Sequence, residues 1–69
     1  MAAWTVVVNG VTREVPAECT VAALLDLLGV AAARVAVERN LDVVPKRSYG
    51  ETRLAPGDAI EIVTFVGGG

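Results

Sequence analysis

The sequence predicts an α+β domain in which one main helix packs across a mixed sheet of four to five strands. Three observations support this prediction: short β-branched runs towards both ends of the chain, an apolar stripe at helical spacing between them, and turn signals that separate the segments. At 69 residues the chain has room for one domain with a modest core. We divide it into a folded domain at residues 1–66 and a flexible glycine tail at residues 67–69.

A β-hairpin is predicted near the start of the chain. The β-branched run Thr5–Val8 is followed by Asn9-Gly10, a dipeptide that favours the tight turn between two antiparallel strands. The second strand covers residues 11–15 and ends at Pro16, because proline has no N–H to donate to a sheet.

The helix is predicted to begin after Thr20, a suitable N-cap, and to end before Gly29, which suits the left-handed position after a helix. Cys19 precedes the cap and is predicted to pack on Leu24 as a hydrophobic staple. No basic residue lies within four positions of Cys19 to lower its thiol pKa, so we assign it a structural role. The stripe expected to face the sheet consists of Val21, Leu24, Leu25 and Leu28.

The second half of the chain supplies the rest of the predicted sheet. A third strand is expected at residues 35–38, closing at Asn40, and a final strand at residues 59–63 after the turn Pro56-Gly57-Asp58. Residues 41–51 are predicted to be irregular, with a short turn of helix. The predicted core consists of Val6, Val8, Leu24, Leu25, Leu28, Ile60 and Ile62.

Composition and charge exclude several classes of function. A net charge of −2 argues against a surface that binds nucleic-acid phosphates, and no uncharged run approaches the roughly 18 residues of a membrane span. With no histidine, the chain lacks the usual general base of an enzyme. A single cysteine and no basic leader indicate a cytoplasmic protein, for which we expect no bound cofactor and no metal.

The apolar content of 54% is more than so small a domain readily buries, so part of it is expected to face a partner. The alternative is that scattered alanines and valines are ordinary surface residues. The predicted docking surface is the outward face of the sheet together with the root of the tail. Its candidate residues are Val7, Val37, Val63, Phe65, Val66 and Gly67.

The order hairpin, helix, strand, irregular crossing and strand describes the β-grasp fold. Within that order, the chain resembles the ThiS family, the ubiquitin-like sulfur carriers of thiamine biosynthesis. The resemblance covers nearly the whole chain. Its segments are VAVERN at residues 35–40, VVPK at 43–46, GD at 57–58, EIV at 61–63 and GGG at 67–69.

This resemblance implies chemistry at the C-terminus. An adenylating enzyme related to the ubiquitin-activating enzymes would use ATP to activate the carboxylate of Gly69. A sulfur donor, such as a cysteine desulfurase or a persulfide protein, would then convert it to a thiocarboxylate for thiazole synthase. Gly68, without a side chain, would let the tail enter a narrow channel. The chain itself would be a carrier and not an enzyme.

Three alternatives remain open from the sequence: the small subunit of molybdopterin synthase, a ubiquitin-like modifier of lysines, and a binding module with an inert tail. The short length of the chain and its residues 43–45 favour the thiamine assignment over the molybdopterin one. The sulfur donor is left open, as is whether Gly69 is the encoded or a processed terminus.

Overall fold

A five-stranded mixed sheet with one α-helix across it forms the fold, described for residues 2–65 in a computed structural model. The strand order is β2-β1-β5-β3-β4, with β1 and β5 parallel and the other neighbours antiparallel. This architecture confirms the predicted α+β class. The elements are β1 (Ala3–Val8), β2 (Val11–Pro16), α1 (Val21–Leu28), β3 (Val35–Arg39), β4 (Asp42–Val44) and β5 (Ala59–Thr64), with 3₁₀ turns at Ala32–Arg34 and Lys46–Ser48.

The last strand, β5, occupies the centre of the sheet. It pairs with β1 up to Val8↔Ile60 and with β3 through pairs that include Val37↔Ile62. The hairpins β1–β2 and β3–β4 share no strand pair with each other, so β5 joins them. The C-terminal tail therefore starts from the middle of the sheet and not from its edge.

A buried carboxylate holds the turn that leads into β5. Gly57 has a φ of +85°, a left-handed value that glycine adopts without strain, so the turn predicted at residues 56–58 is confirmed. The Asp58 carboxylate accepts hydrogen bonds from the N–H of Ala55 at 2.8 Å and from the side chain of Asn40 at 3.0 Å. Arg39 pairs with the same carboxylate at 3.4 Å. These bonds fix the place where β5 enters the sheet.

The helix begins and ends where the sequence predicts. The hydroxyl oxygen of Thr20 accepts a hydrogen bond from the N–H of Ala23 at 3.1 Å, which is the expected N-cap. At the other end, Gly29 has a φ of 71° and its N–H donates to the carbonyl of Asp26. The helix residues buried against the sheet are Val21, Leu24 and Leu25.

Two features of the fold differ from the sequence prediction. Residues 42–44, predicted to be irregular, form β4, in which Val44 pairs with Val37 and is buried. The core also differs: Leu28 and Ile62 are only partly buried at its margin, since Leu28 is the last residue of an α1 of just 8 residues. Buried apolar residues that the predicted core omitted are Val15, Cys19, Val21, Val35, Val37, Val44, Tyr49 and Leu54.

We expect Leu25→Ala to lower the free energy of unfolding by about 2–5 kcal/mol, because it leaves a cavity under the helix. Chemical denaturation measures the change. Leu27→Ala is the matched control: Leu27 lies on the same helix but is 61% exposed, whereas Leu25 is 1% exposed. The control should stay within about 0.5 kcal/mol of the parent. Equal effects of the two substitutions would contradict the helix placement.

Candidate functional site

The root of the tail is the point where β5 ends and the glycine tail follows. On one side, the N–H of Phe65 donates to the carbonyl of Arg34 at 2.8 Å, which extends the pairing with β3. On the other side, β1 has ended at Val8, and the Asn9 side chain takes its place. Its amide oxygen accepts from the N–H of Ile62 at 2.8 Å, and its amide nitrogen donates to the carbonyl of Ile62 at 3.2 Å. The backbone of this segment is thus hydrogen-bonded to neighbours on both sides up to Ile62, and only on the β3 side up to Phe65.

Lys46 lies over the side chain of Phe65. Its Nζ is 5.2 Å from the centre of the ring, a distance at which the cation is attracted to the aromatic face. The same Nζ donates a hydrogen bond to the carbonyl of Ala33 at 2.9 Å. Because the contact is exposed to solvent, the cation–π attraction is worth only about 0.5–1 kcal/mol. Lys46 thus connects the turn after β4 with the root of the tail.

The face of the sheet opposite the helix presents part of the predicted docking surface. Val63 on β5 is 59% exposed and Phe65 beyond it is 53% exposed. Val7 on β1 is half-buried and alternates with Val6 and Val8, whose side chains are in the core. Apolar surface therefore lies beside the root of the tail, as predicted for these positions.

Val37 does not belong to this face, and its predicted place in the docking surface is wrong. It is 1% exposed and lies in the core, opposite Val44 on one side and Ile62 on the other. Residues 35–37 are apolar at every position, so strand alternation alone allows either face to be the buried one. In the structure Val35 and Val37 point into the core, and Ala36 takes the outward position.

Four residues of the predicted site lie outside the described range of 2–65. Val66 and Gly67 were assigned to the docking surface, and Gly68 and Gly69 to the reactive end. Their roles stay predictions from the sequence. The same holds for the division of the chain into residues 1–66 and 67–69.

Cys19 is a buried thiol just before the helix. Its Sγ lies 3.4 Å from the carbonyl oxygen of Thr20, and its side chain belongs to the same core as Leu24. Burial raises the pKa of the Cys19 thiol above its ordinary value, because the thiolate loses hydration. A neutral, inaccessible thiol is a poor nucleophile. The structural role assigned from the sequence agrees with this environment.

An open groove that the sequence did not predict runs beside the C-terminal end of α1. Its volume is about 300 Å³, and it is lined by residues that include Val11, Leu28, Val30 and Ile62. Val11 on β2 is exposed because the short helix does not extend over it. The groove adds apolar surface on the helix side of the sheet.

Within residues 2–65, the structure contains no group of three or more side chains suited to hold a metal ion. No helix in that range is long and apolar enough to cross a membrane.

The fold and sequence match known proteins of thiamine biosynthesis. The crystal structure of a ThiS protein from Geobacter metallireducens superposes with a TM-score of 0.79 and 40% sequence identity, covering 94% of this chain and 99% of that one. The model of the ThiS family matches residues 6–69. The chain belongs to the ThiS family. This match confirms the family that the sequence resembles.

Two further relatives of this ThiS-family chain differ in length. The sulfur carrier protein ThiS of Bacillus subtilis is 54% identical over 35 residues, which are 51% of this chain and 53% of that protein. A protein named thiazole synthase from Paramagnetospirillum magneticum is 54% identical over 63 residues. Those residues are 91% of this chain, but the chain spans only 19% of the length of that relative.

We expect Cys19 to resist iodoacetamide at neutral pH in the folded protein and to react once the protein is unfolded in urea. Mass spectrometry counts the modified thiol. The raised pKa of Cys19 also makes the free energy of unfolding depend on pH, because folding favours the neutral thiol. The stabilisation that comes from burying the neutral thiol is complete below the ordinary thiol pKa of 9.0 and is lost as the pH rises through the pKa of the folded protein. Native labelling as fast as that of a free thiol would contradict the burial.

Proposed function

We propose that this chain carries sulfur for thiazole formation on the carboxylate of Gly69. Where Gly69 is the terminal residue, an activating enzyme joins its carboxylate to AMP from ATP and releases pyrophosphate. The terminal sulfur of a persulfide on a donor, such as a cysteine desulfurase or a persulfide protein, then forms a C–S bond as the bond to AMP breaks. A thiol reduces the remaining S–S bond to the donor, which leaves the thiocarboxylate on Gly69. The observation that carries this proposal is the family match over residues 6–69, which includes the glycine tail.

The chemistry requires activation by another protein. A carboxylate is ionised at neutral pH and is a poor electrophile, whereas an acyl-adenylate carries a good leaving group. This chain has no histidine, and its only cysteine is buried with a raised pKa. Its contribution is therefore to present a carboxylate, while the partner supplies ATP binding and catalysis.

Thiazole synthase is the proposed acceptor of the sulfur. In Paramagnetospirillum magneticum, a protein of that name includes a stretch 54% identical to this chain, within a much longer sequence. A carrier-like stretch and a synthase in one polypeptide support a direct transfer between the two. We propose the same transfer for this chain, whether the carrier and the synthase are separate proteins or parts of one polypeptide.

The length of the tail sets how close the partner must come. Four residues follow Phe65 in the sequence, and four extended residues reach at most about 14 Å. The folded domain must therefore dock near the entrance of the nucleotide site. Glycines at 67 and 68 suit this path because they have no side chain and tolerate most backbone conformations.

The proposed docking surface for the activating enzyme is the exposed apolar area beside the tail root. It consists of Val7, Val63 and Phe65 in the described structure, continued by Val66 and Gly67 in the sequence. Aromatic side chains beside a reactive end commonly dominate the energy of such contacts.

We expect Phe65→Ala and Val63→Lys each to weaken adenylation while the fold stays intact. The first removes the aromatic contact, and the second places a charge in an apolar interface. The rate of pyrophosphate release at increasing carrier concentration gives KM and kcat. The effect should lie mainly in KM, since the reacting carboxylate is unchanged.

Leu41→Lys provides the matched control for Val63→Lys. Leu41 is 84% exposed and lies in the β3–β4 turn, at the end of β3 away from its pairing with Thr64. It should leave KM unchanged. Normal turnover in both Phe65→Ala and Val63→Lys would show that the apolar area is ordinary surface.

We expect Gly69 to exchange one carboxylate oxygen for sulfur when the carrier is incubated with ATP, Mg²⁺, its activating enzyme, a persulfide donor and a thiol reductant. Intact mass and the mass of the C-terminal peptide locate the change. Adding one alanine after Gly69 should abolish loading, because the carboxylate then lies past the nucleotide phosphate.

Cys19→Ser is the control for this loading reaction and should be loaded normally. Sulfur found on Cys19 would contradict the proposed function. The proposed function would also be contradicted if the tail kept its carboxylate in the presence of an activating enzyme of proven thiamine activity. That result would favour a binding module with an inert tail.

A further inference from the structure

The positive charges of this acidic chain are unevenly placed. Two of the six cationic side chains form ion pairs inside the domain, Arg39 with Asp58 and Arg53 with Glu18, each at 3.4 Å. Arg13 lies on the edge strand β2. The other three cationic residues are Arg34, Lys46 and Arg47.

These three residues belong to the two segments that flank the root of the tail. The carbonyl of Arg34 accepts the N–H of Phe65 at 2.8 Å, and the Nζ of Lys46 lies 5.2 Å from the Phe65 ring. Arg47 follows Lys46 in the same 3₁₀ turn. We call Arg34, Lys46 and Arg47 the basic collar.

The collar has no negative partner within the described part of the chain. All three residues are exposed, and none lies within ion-pair distance of a carboxylate in residues 2–65. Two acidic residues of the outward face, Glu38 and Glu61, pair across β3 and β5 nearer the middle of the sheet. The protein has a net charge of −2, yet its tail root is locally positive.

The position of Lys46 is fixed before any partner binds. Its hydrogen bond to Ala33 at 2.9 Å and its contact with Phe65 hold the charge against the last described residue of the chain. A charge already in place loses less side-chain entropy when it meets an opposite charge. The collar thus has a defined location on the β3 side of the tail root.

We propose that the basic collar docks on an acidic rim around the opening through which the activating enzyme receives the tail. This inference rests on the proposed function, because it assumes that such an enzyme takes up the tail. Opposite charges on the two surfaces steer the encounter and set the orientation of the carrier.

The length of the tail favours a protein surface over the nucleotide as the partner of the collar. The Gly69 carboxylate meets the α-phosphate of ATP, and it is four residues, or at most about 14 Å when extended, beyond Phe65. Lys46 is held at Phe65 itself. With the tail extended, the collar would lie at the mouth of the channel and the phosphates at its end.

The test measures the association rate of carrier and activating enzyme by stopped flow without ATP, from low to high ionic strength. The double variant Arg34→Gln with Arg47→Gln should associate about tenfold more slowly at low salt and should show a flatter salt dependence. Lys46→Arg should behave as the parent, and Lys46→Gln should be slower. Thermal unfolding checks that each variant is folded.

Arg53→Gln is the matched control, because it removes one exposed positive charge at the end of the sheet where β5 enters, near Arg39 and Asp58. It should change the association rate at low salt by less than twofold. If the double variant shows the same association rate and salt dependence as Arg53→Gln, the proposed role of the collar is refuted. A loss seen only in the KM for ATP would also refute it, because the phosphates would then be its partner.

Failure of the collar can be told apart from failure of the proposed function. Loading of the wild-type tail with sulfur is measured in parallel by intact mass. If the wild-type tail is loaded normally and the collar variants associate as fast as the parent, only the proposed role of the collar is overturned. An enzyme of proven thiamine activity that neither binds nor loads the wild-type carrier would overturn both.

Discussion

The position of β5 between β1 and β3 is the constraint on which the rest of the structure depends. Its entry is fixed by the buried Asp58 carboxylate, which accepts hydrogen bonds from Ala55 and Asn40. The backbone adds two more bonds at the same place, from Gly57 to the carbonyl of Thr5 at 2.7 Å and from Val7 to the carbonyl of Asp58 at 2.9 Å. An uncompensated loss of such a buried acceptor costs about 1–3 kcal/mol, a large part of the stability of a small domain.

That central position also creates the candidate site. Because β1 stops at Val8 while β3 begins opposite Thr64, the end of β5 leaves the sheet with one side open and one side paired. Apolar surface at Val63 and positive charge at Lys46 lie around the same exit. In the proposed complex they have different tasks, since apolar contact supplies affinity and charge supplies speed and orientation of encounter.

Local signals in the sequence were enough for the hairpin, the helix and the turn before β5. Thr20, Gly29 and Gly57 each act within a few residues, through a cap or a left-handed backbone, so they can be recognised without the fold. β4 and the buried side of Val37 could not be recognised in this way, because both are decided by pairing with residues elsewhere in the chain. The collar could not be recognised from the sequence for the same reason. Arg34 and Lys46 are separated along the chain, and the fold brings both of them to Phe65.

The placement of β5 also determines when the chain can fold. The hydrogen bonds between Asn9 and Ile62 join residues 53 positions apart, and each hairpin on its own is at most marginally stable in water. During synthesis, β1 to β4 emerge first but have no common strand until β5 follows. Contacts of such long range favour slow, late closure of the sheet. A folded domain is therefore one whose tail root has already been made, so the enzyme of the proposed function would meet the sheet and the tail root together.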